Sequence, residues 1–358
     1  MTRGVVYAAP GEEPAVEEIV LDPPGPHEVV VRVEACGLCH SDTHVVENDG
    51  WGMPFPILLG HEGAGTVEEI GEEVSVVEPG DRVVVAWRAP CGTCPSCRCG
   101  DPRRCSSQLR AKRRAHRAVD GALLTPVLRC GTLADRAIVH EACAVKFPAE
   151  LPAEQACLLA CGFSTGAGAA LWTTPVREGA SVAVIGCGGV GLAVVQGAKL
   201  AGASRIVAVD IAPDKLALAQ ALGATDVVDA SAGDPVEQVR ELTRGADFAF
   251  SAVGAASGLA QAVRMCGYGG TATLVGIPVA GATLDVDLYR DVFEPKVAIA
   301  VTHGGDTIPQ QDFPFLAHAA LEGRLDLARF VTRTISLDEA PAALYAVGRD
   351  GIRTVVLF

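Results

Sequence analysis

The pattern of hydrophobic and polar positions changes near the middle of the chain. Residues 1–160 contain short runs rich in β-branched residues and broken by Gly and Pro, which predict strands in HEVVVRVEACG, AGTVEEIG, DRVVVAW and ADRAIVH. From about residue 180, apolar runs typical of buried strands alternate with helical runs, beginning with SVAVIG and LAVVQGAKLAG. This alternation predicts a parallel, doubly wound sheet and therefore an α/β fold in the second half.

The C-terminal stretch, FVTRTISLDEAPAALYAVGRDGIRTVVLF, returns to mixed β character. We therefore expect it to fold back onto the first half of the chain. A length of 358 residues predicts two domains, each large enough to bury its own core.

Composition and charge exclude several classes of partner. With a formal charge of −14, most of the surface would repel nucleic acid or an acidic membrane, so we expect neither as a partner. No apolar run reaches the roughly 18–20 residues of a membrane span, and the N-terminus lacks the apolar core of a signal peptide. Thirteen cysteines, an odd number, favour a reducing compartment, and we expect a cytoplasmic protein.

The sequence GCGGVG predicts a dinucleotide site in the second half. It follows the predicted strand VAVI, precedes a helix, and places Gly186, Gly188 and Gly191 in the G-x-G-x-x-G frame. Asp210 ends the next strand, where its carboxylate would accept ribose hydroxyls and repel a 2′-phosphate, which favours NAD over NADP. Lys215 could add a second ribose contact. The predicted cofactor contacts of this half are Gly186, Gly188, Gly189, Val190, Gly191, Asp210 and Lys215.

The stretch CGTCPSCRCGDPRRC, residues 91–105, holds five cysteines in fifteen positions. It could be a disulfide staple, a redox switch, a metal site that does chemistry or a metal site that only holds a loop. Four thiolates from one short loop can close a tetrahedral zinc shell, which leaves no open position for a substrate. The spacing therefore predicts a structural zinc on Cys91, Cys94, Cys97 and Cys105, with Cys99 out of frame.

Three other segments offer ligands for a catalytic zinc: CGLCHSDTH (36–44), GHEGAG (60–65) and ACGFSTG (160–166). An open zinc site needs about three Cys or His ligands, and each segment supplies one. The candidates are Cys39 or Cys36, then His61, then Cys161. Spacing alone does not show that they converge, and a cysteine at the position of Cys161 is more often a core thiol.

Taken together and in this order, the motifs resemble those of the zinc-dependent medium-chain alcohol dehydrogenases along nearly the whole chain. The shared features are CGLCHSD, GHEGAG, the four-cysteine loop, CGFSTG, GCGGVG and the terminal GIRTVVLF. WRAPCGTCPSC and DFPFLAHAALEGRLDLARFV most resemble the class III, thiol-dependent formaldehyde dehydrogenases, particularly the mycothiol-dependent branch.

The resemblance implies an architecture and a set of cofactors. A GroES-like, β-rich catalytic domain would span residues 1–163 and 303–358, and a Rossmann NAD-binding domain would span 164–302. The chain would bind two zinc ions, one catalytic and one structural, together with NAD, and the site would lie in the cleft between the domains. A homodimer or homotetramer is implied, paired through the strand near 283–302.

The resemblance also assigns roles to single residues. It selects Cys39, His61 and Cys161 as the catalytic zinc ligands and leaves Cys36 as a neighbouring core thiol. Glu62 would approach the metal and assist ligand exchange, and Asp42 would orient the histidine ligand. Ser41 and His44 would form a proton relay, and His40 and Arg353 would contact the pyrophosphate. Trp87 would line the substrate pocket, or would be an ordinary core side chain.

These assignments predict an NAD-dependent zinc oxidoreductase that interconverts an alcohol with its aldehyde or ketone. One alternative is a thiol-dependent formaldehyde dehydrogenase acting on an S-hydroxymethyl adduct, although a histidine at position 44 is more typical of simple alcohol dehydrogenases. A pathway-specific reductase of secondary metabolism is a further alternative, and no single residue excludes it. A non-catalytic zinc-and-NAD fold is disfavoured, because the three ligands, Glu62 and Ser41 are all present and a protein without activity usually lacks at least one of them. The basic residues Arg110, Lys112, Arg113, Arg114, His116 and Arg117 could hold an acidic substrate or form a solvated face.

Overall fold

The structure, a computed structural model, describes residues 2–349 and 351–358. These residues form two compact units, one that ends at Cys161 and resumes over Ile308–Phe358, and one that spans Gly162–Thr307. The sequence prediction placed the two crossings after residues 163 and 302, whereas the units divide after residues 161 and 307.

The β-strands are numbered from the N-terminus. In the described residues they are β1 (Thr2–Tyr7), β2 (Ala15–Leu21), β3 (Glu28–Gly37), β4 (Ile57–Leu58), β5 (Glu62–Ile70), β6 (Arg82–Val85), β7 (Ala115–Arg117), β8 (Thr125–Pro126), β9 (Arg136–His140), β10 (Ala144–Lys146), β11 (Ser181–Ile185), β12 (Arg205–Asp210), β13 (Asp226–Asp229), β14 (Ala246–Ser251), β15 (Cys266–Leu274), β16 (Ala298–Val301), β17 (Val331–Ile335) and β18 (Arg353–Leu357).

The α-helices are divided equally between the two units, with α4 to α8 in the second. Over the same described residues they are α1 (His40–Glu47), α2 (Pro95–Arg98), α3 (Ala153–Ala156), α4 (Gly162–Gly168), α5 (Gly189–Leu200), α6 (Pro213–Leu222), α7 (Pro235–Thr243), α8 (Ala256–Met265), α9 (Pro309–Leu321) and α10 (Ala340–Ala343).

The first unit is β-rich, as its β-branched runs predict. One sheet has the order β7-β2-β1-β4-β8, and a second has the order β10-β6-β5-β3-β18-β17, with β9 also paired to β3. The last strand confirms the expected return of the C-terminus, because β18 pairs antiparallel with β3 and aligns Val355 with Gly37. Strand β3 therefore lies beside both β5 and β18.

The second unit is the predicted doubly wound sheet. Its strand order is β13-β12-β11-β14-β15-β16, and every adjacent pair is parallel. The order reverses between β11 and β14, and at such a point an open α/β sheet binds its ligand beyond the carboxyl ends of the strands. Buried residues of β11, β12 and β14 pack with Val239 of α7 and Val263 of α8.

Among the described residues, no single helix is long and apolar enough to cross a membrane. The segments Ala153–Ala160 and Gly162–Thr173 meet the length and composition criteria only as a pair, and that pair is bent by 57°.

Candidate active site

Strand order explains how distant segments of the first unit meet. Cys39 follows the end of β3 and caps α1, while His61 immediately precedes β5. Because β5 and β18 flank β3, with Gly37 aligned to Glu62, the end of β3, the start of β5 and the start of β18 lie side by side. Gly60, with φ of +94°, lies so close to Leu133 that a Cβ would collide with its backbone nitrogen.

One group of potential metal ligands occupies this point. Among the described residues, Cys39, His61, Glu62 and Cys161 each offer a ligand atom, and these atoms all lie within 4.8 Å of one another. Nε2 of the fully buried His61 has no hydrogen-bond partner in the described part of the chain. An orphaned imidazole nitrogen between two cysteine sulfurs fits a zinc ion. We call these four residues the buried cluster.

Neighbouring groups shift the pKa values of the residues in the buried cluster. The contact with Cys161 lowers the pKa of Cys39 well below its usual value, while the same contact and burial raise the pKa of Cys161. Burial opposes protonation of His61, but the Asp42 carboxylate, 3.1 Å from Nδ1, raises the pKa of His61 well above its usual value. Asp42 Oδ1 also accepts the N–H of Gly60 at 2.9 Å, which fixes its orientation.

Glu62 and Arg353 form a buried ion pair beside these ligands. The Arg353 guanidinium donates to Glu62 Oε2, and both side chains are almost completely enclosed. Burial raises the pKa of Glu62 to about 7 even though Arg353 opposes the shift. The predicted contact of Arg353 with a pyrophosphate stays a prediction, since the structure places this residue against Glu62.

Helix α1 presents the predicted relay residues. Ser41 is buried, with its Oγ 3.8 Å from Cys39 Sγ, whereas the His44 side chain is 30% exposed. The His40 ring centroid lies 6.0 Å from that of His44, and the ring packs so tightly on Gly348 that a Cβ there would collide with it. Ser41 and His44 thus run from the buried cluster toward solvent, and their roles stay predictions.

The loop of residues 91–105 forms the second metal-ligand group in the described chain. The sulfurs of Cys91, Cys94, Cys97 and Cys105 lie within 4.8 Å of one another, and Cys99 lies outside the group and is exposed. Backbone N–H groups point at the sulfurs, as Cys94 N donates to Cys91 Sγ at 3.2 Å and Cys91 N donates to Cys105 Sγ at 3.3 Å. Such donors stabilise thiolates, and no disulfide joins the described cysteines, so the loop fits a structural zinc. We call residues 91–105 the zinc loop.

The glycine loop of the second unit has the geometry that its motif predicts. Gly186 has φ of +88°, and a Cβ on Gly191 would collide with the carbonyl oxygen of Gly186. A Cβ on Gly188 would meet no atom within 4 Å, so the space above this residue is open. Gly189 and Val190 begin α5, whose free N–H groups face the same loop, and this cradle fits the pyrophosphate of NAD.

Asp210 and Lys215 lie beside the glycine loop. Asp210 Oδ2 accepts the N–H of Cys187 at 2.6 Å, and Oδ1 accepts those of Ile211 and Ala212. Burial raises the pKa of Cys187 to about 12, and both Asp210 and Lys215 contribute to that pKa, which places the two charges near the same thiol. This grouping fits the adenosine ribose contacts that the sequence predicts.

Two further predictions involve residues near these groups. Trp87 is half-buried against a core that includes Val85 and Cys130, so its indole packs as a core side chain on at least one face. A role for Trp87 in substrate binding stays a prediction. In the basic segment, Arg114 pairs with the buried Glu28, and His116 and Arg117 also pair with carboxylates.

Sequence reasoning missed two residues that the structure makes prominent. Asp312 binds Arg103 of the zinc loop, with Nη1–Oδ2 and Nη2–Oδ1 distances of 2.6 and 3.1 Å. Partial burial lowers the pKa of Arg129, and the positive charges of Arg110 and Arg113 lower it further. Asp312 begins the segment DFPFLAHAALEGRLDLARFV, but nothing in that segment indicates an ion pair with Arg103, and Arg129 lies outside every quoted motif.

Comparison with protein families gives two matches. The model described as "Alcohol dehydrogenase GroES-like domain" matches residues 25–149, and the model described as "Zinc-binding dehydrogenase" matches residues 189–321. The S-(hydroxymethyl)glutathione dehydrogenase of Photobacterium damsela subsp. piscicida is 36% identical, and the alignment covers 99% of each chain.

Solved structures share the fold over the whole chain. The alcohol dehydrogenase zinc-binding domain protein from Burkholderia ambifaria is 34% identical, with a TM-score of 0.94 and coverage of 100% of this chain and 98% of that one. The benzyl alcohol dehydrogenase from Acinetobacter calcoaceticus is 30% identical, with a TM-score of 0.91 and coverage of 100% and 99%.

Proposed function

The chain belongs to the zinc-dependent medium-chain alcohol dehydrogenases, and from this membership we propose which of its residues perform the reaction. It is an NAD-dependent zinc dehydrogenase that transfers a hydride between an alcohol and NAD. The observation that supports our assignment is the convergence of Cys39, His61, Glu62 and Cys161 within 4.8 Å. Cys39, His61 and Cys161 would hold the catalytic zinc, and the zinc loop would hold the structural one.

When bound, zinc supplies a Lewis acid and NAD supplies a hydride acceptor. The chain's own residues would transfer the hydroxyl proton of the substrate. Ser41 Oγ, buried beside Cys39, would accept the substrate's hydroxyl proton, and the partly exposed His44 would hold a proton at the border with solvent. Asp42 holds His61 in one orientation through its Nδ1, which leaves Nε2 for the metal.

Glu62 would assist the exchange of ligands at the metal. Its carboxyl group lies within the buried cluster, and Arg353 holds it there from the start of β18. A carboxylate that can approach or leave the metal would compensate charge while substrate and water exchange. The resemblance to the family implies pyrophosphate contacts for His40 and Arg353. In the second unit, the glycine loop, Asp210 and Lys215 would hold NAD.

The reaction is tested by following NAD reduction with a panel of primary and secondary alcohols. We expect turnover without any thiol, and Ser41→Ala should lower kcat by roughly 10²-fold because a positioned proton acceptor contributes about that much. Thr43→Ser on the same helix is the matched control. Zinc-loaded protein that binds NAD but oxidises no alcohol would contradict the proposal.

A second candidate substrate is an S-hydroxymethyl thiol adduct. It is favoured by the relative named S-(hydroxymethyl)glutathione dehydrogenase, which is 36% identical over 99% of both chains. Formaldehyde supplied with and without glutathione or mycothiol separates the two candidates. Turnover that requires the thiol would establish the adduct and leave His44 without its proposed part in the relay.

We also propose a cytoplasmic homodimer or homotetramer. Cysteines without disulfides in the described residues support a reducing compartment. At the edge of the parallel sheet, β16 exposes Ile299 and Val301, which are 42% and 63% exposed. An apolar edge strand of this kind is suited to pairing with a second copy, and sedimentation measures the resulting mass.

A further inference from the structure

Helices α4 and α5 approach each other closely through glycine within the second unit. A Cβ added to Gly166 of α4 would lie 2.1 Å from the carbonyl oxygen of Val190 and 2.7 Å from the Cβ of Ala193, both in α5. About one helical turn beyond Ala193, a Cβ on Gly197 would lie 2.8 Å from the backbone of Ala167. These distances are shorter than an ordinary van der Waals contact, so the two helix backbones touch directly.

The contact at Gly166 lies at the end of α5 that carries the glycine loop. Val190 is the second residue of α5, which begins at Gly189 directly after that loop. A Cβ on the next residue, Gly191, would lie 1.7 Å from the carbonyl oxygen of Gly186. The first turn of α5 therefore contacts α4 through Val190 and the loop through Gly191, and a displacement of this turn would also move the loop.

The opposite face of α4 is closed by the backbone of another turn. A Cβ on Gly168 would lie 2.5 Å from the carbonyl oxygen of Gly305, and a Cβ on Gly305 would lie 2.2 Å from the carbonyl oxygen of Ser164. Because a helix has 3.6 residues per turn, Ser164 and Gly168 share one face, whereas Gly166, midway between them, faces the other way. Helix α4 is thus packed on two faces.

The turn that carries Gly305 is fixed to the same helical segment. Asp306 Oδ2 accepts the Thr173 hydroxyl at 2.7 Å, and Thr173 Oγ1 also lies 2.7 Å from Thr302 Oγ1. Thr173 ends the π-helical stretch that continues from α4. A methyl group added at Gly166 would therefore displace the first turn of α5 rather than α4.

We propose that Gly166 is a positioning residue for NAD, because its missing side chain lets the first turn of α5 hold its N–H groups where the pyrophosphate binds. The inference rests on the proposed cofactor site and adds a residue that lies outside the dinucleotide motif. Hydrogen bonds from a helix N-terminus to phosphate weaken steeply when they are bent. Relieving a 2.1 Å contact would move Val190 by about 1 Å, which is enough to misalign these donors.

The test compares Gly166→Ala with Gly197→Ala. Both substitutions add one methyl group between the same two helices, but only the first lies at the turn that follows the glycine loop. We expect Gly166→Ala to raise the Kd of NAD about tenfold, since a hydrogen bond to a charged group is worth at least about that factor. Gly197→Ala should leave this Kd within about twofold of the wild-type value, because Gly197 lies roughly 10 Å further along α5 than Val190.

Adenosine is a second probe, because it lacks the pyrophosphate. Its Kd should change less than about twofold in Gly166→Ala, since the loss is confined to the groups that bind phosphate. General damage to the second unit would instead weaken adenosine and NAD alike. Thermal unfolding shows that both variants are folded, and overpacking should lower the Tm of each by a few degrees.

An unchanged Kd of NAD in folded Gly166→Ala, or an equal loss in Gly197→Ala, would overturn the proposal. If Gly166→Ala does not fold, hydrogen exchange of the wild type decides, because NAD should then slow exchange in α4 together with the first turn of α5. Exchange in α4 that NAD leaves unchanged would overturn the proposal. Failure of the wild type to oxidise any alcohol would instead count against the proposed function, and the NAD affinities would still decide the role of Gly166.

Discussion

The two metal-ligand groups of the first unit are built in opposite ways. The zinc loop takes four sulfurs from fifteen consecutive residues, and backbone N–H groups of the same loop point at them. The buried cluster takes its atoms from the end of β3, the start of β5 and the segment after α3. The loop can therefore form its site locally, whereas the cluster exists only once the sheet is paired.

This difference matches the chemistry of each group. Four sulfurs close a tetrahedral shell and leave no position for a substrate. The buried cluster offers two sulfurs and one imidazole nitrogen, with a carboxylate that already pairs with Arg353. Three ligands leave a position open for a reacting molecule, so the site assembled from distant segments is the one suited to catalysis.

Both groups are nevertheless held by an arginine–carboxylate pair that reaches the C-terminal part of the chain. Glu62 binds Arg353 at the start of β18, and Arg103 binds Asp312 in α9. Asp312 also accepts the N–H of Ile308 at 2.6 Å, at the point where the chain re-enters the first unit. The zinc loop takes its ligands from residues close together in sequence, but it is anchored by Asp312, which is distant in sequence.

The largest expected effect comes from removing one ligand of each group. Cys161→Ser should leave one zinc per chain and reduce alcohol oxidation by roughly 10³-fold or more, because a Lewis acid contributes several kcal/mol to such a step. Cys97→Ser should also leave one zinc, but its main effect should be on folding. A loss of about 3 kcal/mol would lower Tm by roughly 6–12 °C. Metal analysis, kinetics and thermal unfolding measure the three quantities.

Cys99→Ser is the matched control for this comparison, because Cys99 lies in the zinc loop but outside the ligand group. It should retain both zinc ions, full activity and the wild-type Tm. The comparison would be wrong if Cys161→Ser lowered Tm as much as Cys97→Ser while keeping its activity.

The same contrast explains how much the sequence could predict. The ligands of the zinc loop followed from spacing alone, because they are neighbours in sequence. Convergence of Cys39, His61 and Cys161 depends on strand order, which no local pattern contains, so only resemblance to a family selected Cys39 over Cys36. The glycine loop was predictable because two of its glycines answer a local steric demand: Gly186 has a positive φ, and Gly191 approaches the carbonyl oxygen of Gly186 closely.

Other features had no local signal. Strand β1 was not predicted, and its apolar residues Val5, Val6 and Tyr7 form only a short run after Gly4. In the structure a Cβ at Gly4 would come within 2.8 Å of Leu58 and 2.9 Å of Ala134, so packing across the sheet demands the glycine. The pairing of Arg103 with Asp312 joins residues far apart in the chain, and sequence spacing cannot indicate it.

A smaller effect tests the anchoring of the zinc loop. Arg103→Met leaves Asp312 as a buried carboxylate without its guanidinium, which should destabilise the fold by about 3 kcal/mol. This is the low end of the range for a broken buried pair, since the Arg103 side chain keeps 25% exposure. Denaturant unfolding measures the change, and the double variant Arg103→Met, Asp312→Asn should recover part of the loss. Arg104→Met should cost no more than about 0.5 kcal/mol, and an equal cost for Arg103→Met would show that the anchor contributes nothing.

The smallest effect concerns the pH dependence of zinc binding to the zinc loop, measured in Cys161→Ser so that only this loop binds metal. Backbone N–H groups of Cys97 and Ser106 lower the pKa of Cys94 to about 6, while desolvation and the neighbouring Cys94 raise the pKa of Cys97 to about 12. Zinc binds thiolates rather than thiols. Between pH 6 and pH 12, zinc binding therefore releases the proton of Cys97, and below pH 6 zinc binding must also release the proton of Cys94. Affinity should therefore fall as the pH falls, and the slope of log K against pH should steepen by about one unit below pH 6. Chelator competition from pH 5 to 8 measures this slope, and a single unchanged slope would show that the N–H groups facing Cys94 do not preorganise the loop for its metal.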